Sequence, residues 1–247
     1  MKDDSTSLQR EHMQRVTDWA GQARDVLEPI ALRRAGDVHF RPGSAGVTMV
    51  GLQPRRPQRG RSGFRDLHRL SATFDECYTR HCVAVEQGRP TPEKQLQSWI
   101  LADAYQHGRR MNAVESALGD GTALWFVTDE LVLPLPKKRR MVCDILALRT
   151  GPQGRCRPVV VELKAAREMK RLIAQVQQYA ACVSTLSEPF ESLYSAVLGR
   201  NVVFSGPPER WIVWPQAGAV SDPREDVLAQ QGIRIANHRA RAGTLLI

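Results

Sequence analysis

Apolar and polar positions divide the chain into a largely helical first half and a strand-rich remainder. Met13, Val16, Ala20, Ala23, Leu27 and Ile30 recur at spacings of three and four, so residues 6–35 are predicted to form one amphipathic helix. Pro29 is expected to bend or end it. A short hairpin is predicted next: residues 38–40, a turn at Pro42-Gly43-Ser44, then residues 47–52. Residues 53–65, rich in Pro, Gly and Arg, read as a boundary or an arm, and residues 66–82 as helix again. Thr91-Pro92-Glu93 has the chemistry of a helix start: a capping hydroxyl, a proline suited to the first turn, and a carboxylate at the positive end.

Past Gly119 the pattern changes to strands. Residues 123–127 and 130–135 are short apolar pieces, 141–148 a stronger strand, and 158–164 the strongest. A helix over 165–184 follows, then a helix at 189–198, strands at 211–214, 233–236 and 244–247, and a helix at 225–231. The expected fold is α/β, with residues 1–85 as an N-terminal accessory region and residues 86–247 as the main domain.

Two strands break their own apolar pattern. Val159-Val160-Val161 marks a buried strand, yet Glu162 and Lys164 follow on the same run. Alternation points these two to one side, and Val161 and Leu163 to the other. Asp144 interrupts Met141-Val142-Cys143-Asp144-Ile145-Leu146 in the same way. An antiparallel hairpin centred on Gln153, in the turn-rich stretch 150–154, sets residue 144 opposite residue 162. Opposed residues share a face and lie roughly 5 Å apart at Cα. Two carboxylates so placed repel unless a cation lies between them. A hard divalent ion such as Mg²⁺ suits that donor set.

Asp144 followed by Glu162-Leu163-Lys164 on the next strand, and then a helix, resembles the PD-(D/E)XK nuclease superfamily. Gln175 and Tyr179 form Gln-x-x-x-Tyr on that helix, similar to the exonuclease-like branch associated with recombination and CRISPR-type members. Glu93 resembles the extra acidic residue that many members place near the metal, although a dipole role explains it equally. The proline before the Asp is absent; Cys143 stands there. The resemblance covers about residues 90–185.

It implies a restriction-endonuclease-like core, a mixed central sheet flanked by helices. It also implies a metal-dependent phosphodiesterase acting on nucleic acid, with DNA the expected substrate, in repair or phage defence. Asp144, Glu162, the Leu163 carbonyl and Glu93 would hold Mg²⁺, with Mn²⁺ able to substitute. Lys164 would orient or deprotonate the attacking water or stabilise charge; Gln175 and Tyr179 would position phosphate or water. A non-cleaving nucleic-acid-binding or protein-interaction module on the same fold is the alternative.

Charge agrees with a polyanionic partner. The chain carries 35 basic and 26 acidic residues, a net charge of +9. Lys137, Lys138, Arg139 and Arg140 precede the Asp strand, and Arg167, Lys170 and Arg171 follow Lys164; both groups could bind the flanking phosphates or be solvated. The arginines of 53–65 leave the same choice open. His68, Cys77, His81 and Cys82 lack the paired spacing of a zinc site. Five unpatterned cysteines suggest a reduced, cytoplasmic setting. Neither a signal peptide nor a run of roughly 18 apolar residues is visible, so no membrane partner is expected. Residues 1–85 could dimerise, bind a partner or read DNA.

Overall fold

A computed structural model describes residues 3–34, 36–52, 61–85, 91–118, 121–137, 139–167, 169, 171–216, 222–241 and 244–246. Helix α1 (Asp3–Arg33) buries the whole predicted stripe from Met13 to Ile30 and runs past Pro29 for another turn. Strands β1 (Val38–Gly43) and β2 (Gly46–Gly51) form the expected hairpin. Its turn needs Gly46: φ there is +134°, and a Cβ would lie 2.6 Å from the Phe64 carbonyl oxygen. That close approach brings in an unexpected third strand, β3 (Arg61–Phe64), where composition suggested only a linker. The rest of that stretch, residues 53–60, lies outside the described residues. Helices α2 (Leu67–Ala72) and α3 (Phe74–Val85) follow, then α4 (Pro92–Gln106) and α5 (Asn112–Leu118).

The main sheet is open and mixed, in the order β4-β5-β6-β7-β8-β9. Strands β4 (Ala123–Leu135), β5 (Arg139–Thr150) and β6 (Cys156–Leu163) are antiparallel. The two short pieces expected at 123–127 and 130–135 are thus one strand. The interruption between them is a bulge after Phe126 and a left-handed Glu130 (φ 42°). After β6 come α6 (Leu172–Thr185) and α7 (Ser187–Leu198), which carry the chain back to β7 (Glu209–Pro215), parallel to β6. Helix α8 (Pro223–Gln230), β8 (Ile233–Arg241) and β9 (Thr244–Leu246) complete the order. The helix predicted over 165–184 starts seven residues late, because Arg171 is left-handed (φ 61°) and residues 164–167 are not helical.

Alternation along β6 separates two cores. Val159, Val161 and Leu163 pack with β1, β2 and helices α2 to α5; Val160 packs with α6 and α7. Helix α1 joins both, with Met13, Val16 and Ala20 in the second and Ala23, Leu27 and Ile30 in the first. The described residues between Met13 and Tyr78 therefore share their cores with the main sheet. The result is the expected mixed central sheet flanked by helices. Among the described residues no helix is long and apolar enough to cross a membrane.

Candidate active site on two adjacent strands

Strands β5 and β6 pair in the register anticipated from the turn. Thr150 lies opposite Cys156 and Ile145 opposite Val161, and one further step sets Asp144 against Glu162. Gln153, at the centre of the connection, takes a left-handed conformation (φ 63°) in a single 3-10 turn over Pro152–Gly154. The ladder ends at Ile145 and Val161, and beyond it the Leu163 N–H donates to the Asp144 side chain, at Oδ2, over 2.8 Å. Lys164 Nζ donates to Glu162 Oε1, also at 2.8 Å, so the two share a side as alternation requires. Lys164 in turn stays in the sheet through its N–H, bound to the Val213 carbonyl at 2.9 Å.

Glu162 is buried, 7% exposed, and Asp144 is half-buried. Burial and then the neighbouring Asp144 raise the Glu162 pKa to about 7, against the pull of Lys164. Burial also raises Asp144, with Glu93 adding to the rise; the Leu163 N–H, Lys164 and Lys94 oppose it. Burial alone would lower Lys164, but Glu162, Asp144 and Glu93 outweigh it and its pKa is raised. Glu93 is exposed on the first turn of α4, which Thr91 caps as expected by accepting from the Lys94 N–H at 3.3 Å. Its charge thus acts on all three central residues.

Asp144 Oδ1 and Glu162 Oε2 accept no hydrogen bond among the described residues. Two such carboxylates, near enough for Asp144 to act on Glu162 by charge, are a donor set that suits a hard divalent cation completed by water and a main-chain carbonyl. No group of three or more His, Cys, Asp or Glu side chains suited to a metal occurs among the described residues. A metal here would rest on a pair of carboxylates, as Mg²⁺ sites commonly do.

The remaining expected residues divide. Gln175 is exposed on α6, and its side-chain amide makes no hydrogen bond among the described residues. Tyr179 is a correction: it is 2% exposed in the second core, its hydroxyl donates to the Leu131 carbonyl at 3.2 Å, and its ring meets Phe190 edge-on. It braces the sheet beneath the site instead of reaching a phosphate. Arg167 is also a correction. Its guanidinium bonds the Pro215 carbonyl (2.6 Å), Asp222 (2.6 Å), Glu225 (2.5 Å) and Asn237 (2.9 Å), and lies over the Trp214 ring. These bonds engage most of its donors within the protein, so it ties the loop after β6 to β8 and α8. Lys137, Arg139 and Arg140 are exposed at the β4–β5 tip, and Arg171 is exposed before α6. Lys138 and Lys170 lie outside the described residues.

Sequence reasoning missed a polar cluster beside Asp144, with His39, Gln97, Tyr105 and Asp129 buried and Arg41 and Glu130 half-buried. Its available signal was a pair of acids, Asp129-Glu130, inside an otherwise apolar run.

No protein-family model and no curated protein matches the chain. Among solved structures it is similar to the crystal structure of a repair endonuclease from Pyrococcus abyssi, at 13% identity and a TM-score of 0.30. The similarity covers 51% of this chain and 43% of that one, so this chain spans less than half the length of that protein.

Proposed function

We propose that this chain is a metal-dependent nuclease that hydrolyses phosphodiester bonds in DNA. The observation that carries the reading is the Asp144–Glu162 pair: two adjacent-strand carboxylates, each with one oxygen lacking a partner among the described residues, and a lysine bound to one of them. A structural pair of this kind would be expected to be neutralised on both sides, since unpaired buried charge is costly. The pattern of Asp144, Glu162 and Lys164 is also what gave the chain its resemblance to the PD-(D/E)XK nucleases.

Asp144, Glu162 and the Leu163 carbonyl would hold Mg²⁺, with Glu93 close enough to add charge. The ion, when bound, lowers the pKa of a water and neutralises phosphate charge. The chain's own groups supply the rest. Lys164, which donates to Glu162, would orient the attacking water and offset charge developing on the phosphate. Burial around Glu162 excludes bulk water and strengthens each of these interactions. Gln175, exposed on α6, can touch phosphate or water. Lys137, Arg139, Arg140 and Arg171 are accessible cations for the flanking backbone.

The test is a cleavage panel of linear, circular and single-stranded DNA and of RNA, each with Mg²⁺, Mn²⁺ or EDTA. Cleavage of DNA with either metal and none in EDTA is expected. Binding without cleavage on every substrate would favour the non-cleaving module instead.

A further inference from the structure

The N-terminal hairpin sends two side chains into the main sheet. His39 and Arg41 on β1 both reach Asp129 on β4, whose carboxylate is 1% exposed. Asp129 accepts from His39 Nε2 (2.8 Å), Arg41 Nε (2.7 Å), Arg41 Nη2 and Gln97 Nε2 (2.9 Å). Tyr105 closes the far side of His39 through Nδ1 at 2.8 Å. Four donors saturate the carboxylate, and a buried network satisfied in this way is stiff.

The network leads to the candidate site by two routes. Gln97, buried on α4, also directs Nε2 to the Asp144 carbonyl at a longer 3.4 Å, and its Oε1 accepts from Lys94 Nζ at 2.8 Å. Lys94 pairs in turn with Glu130, which Arg41 Nη1 holds at 2.6 Å. The register of Asp129 with Ile145 and of Leu131 with Cys143 sets Glu130 across from Asp144. Glu130 keeps its left-handed backbone, an arrangement that persists only where its surroundings enforce it. Lys94 acts on Asp144 by charge, favouring its ionised form.

We propose that Asp129 and Gln97 are positioning residues: Asp129 anchors the Gln97 amide, and Gln97 fixes the Asp144 main chain and the Lys94 ammonium beside the carboxylate pair. The N-terminal hairpin, through His39 and Arg41, thereby completes the site. Partners that orient metal-binding carboxylates act on affinity without touching the ion. The inference rests on the nuclease reading, because it takes Asp144 and Glu162 as the metal-holding pair.

The experiment is Mn²⁺ binding to the intact chain by titration calorimetry, with melting temperature measured alongside. Gln97→Met keeps length and removes both polar functions. It should weaken Mn²⁺ binding about 10-fold, within the range usual for such outer partners, while the chain still melts cooperatively. Asp129→Asn should weaken binding too and lower the melting temperature. Wild-type affinity in a folded Gln97→Met chain overturns the positioning role and leaves the nuclease reading standing. No Mn²⁺ binding by the wild type overturns both. A loss of affinity in Asp129→Asn with none in Gln97→Met shows a stability effect and also overturns the proposal.

Discussion

Two carboxylate clusters lie on the same sheet, and their electrostatics are opposite. Asp129 on β4 is fully buried, yet the Arg41 guanidinium and His39 hold its pKa below the usual carboxylate range, against the upward push of burial. Glu162 on β6 is slightly less buried, and nothing comparable compensates it; burial and Asp144 carry its pKa to about 7. Arg41 and Gln97 close the first cluster, whereas the second leaves Asp144 Oδ1 and Glu162 Oε2 without partners among the described residues. A carboxylate that serves structure is satisfied within the protein, and one that serves chemistry leaves an oxygen for what binds. The difference is the physical argument for locating function at β5–β6 and support at β4.

The largest expected effect breaks the comparison at its reactive end. Glu162→Ala and Lys164→Ala should each lower the initial DNA-cleavage rate by about 10²–10⁴-fold, the range for losing a positioned catalytic group. Their effects should not add in the double variant, since one disabled site cannot be disabled twice. Cleavage near the wild-type rate in Lys164→Ala would show that the pairing with Glu162 is only structural.

The supporting cluster should respond in stability. Asp129→Asn leaves Arg41 and His39 facing a neutral amide in a buried place, and breaking such a pair costs about 3–5 kcal/mol. Glu162→Gln should leave metal-free stability unchanged or raised, because it relieves repulsion from Asp144. Denaturant unfolding of both variants in EDTA checks this, and a larger loss in Glu162→Gln than in Asp129→Asn would invert the comparison.

The two clusters also carry opposite pH signs. Asp129 has a folded pKa below its unfolded 3.8, so its stabilisation is present above that value and is lost as pH falls toward the folded pKa. Glu162 has a folded pKa of about 7, above its unfolded 4.5. Its contribution is fully present below the unfolded value and is lost as pH rises through the folded one. Melting temperature against pH in EDTA should therefore fall less between about pH 4.5 and 7 in Glu162→Gln than in wild type. Identical slopes would remove Glu162 from that window.

The smallest effect separates the basic residues. Replacing Lys137, Arg139 and Arg140 by Ala should weaken DNA binding and flatten its salt dependence by up to about 0.9 for each phosphate no longer neutralised. Arg167→Ala should lower the melting temperature and leave the salt slope alone, since its guanidinium is held by Asp222, Glu225, Asn237 and the Pro215 carbonyl. A salt slope changed by Arg167→Ala alone would reverse the assignment.

How much of this was legible in the sequence depended on whether the cause was local. The α1 stripe, the Thr91 cap and the β5–β6 register are set by neighbouring residues, and the structure has them as read. The hairpin centred on Gln153 is observed as far as Ile145 opposite Val161, one step from Asp144 and Glu162. The start of α6 is not legible in the sequence, because helical propensity from Ala165 onward does not show that Arg171 turns left-handed. Arg167 and Tyr179 look free for substrate in the sequence because their partners lie elsewhere in the chain, at residues 215–237 and at Leu131. The Asp129 cluster joins residues 39, 41, 97, 105 and 129, and no spacing rule connects positions so far apart.

The central claim is that the Asp144–Glu162 pair holds a divalent metal for phosphodiester hydrolysis. The most direct test is the initial rate of plasmid cleavage against Mg²⁺ concentration, for wild type and for Asp144→Ala, with melting temperature as the folding control. Wild type should show a saturable rise with Mg²⁺ that EDTA abolishes, and a folded Asp144→Ala chain should stay near background throughout. Undiminished cleavage in EDTA, or a wild-type metal response in Asp144→Ala, would contradict it.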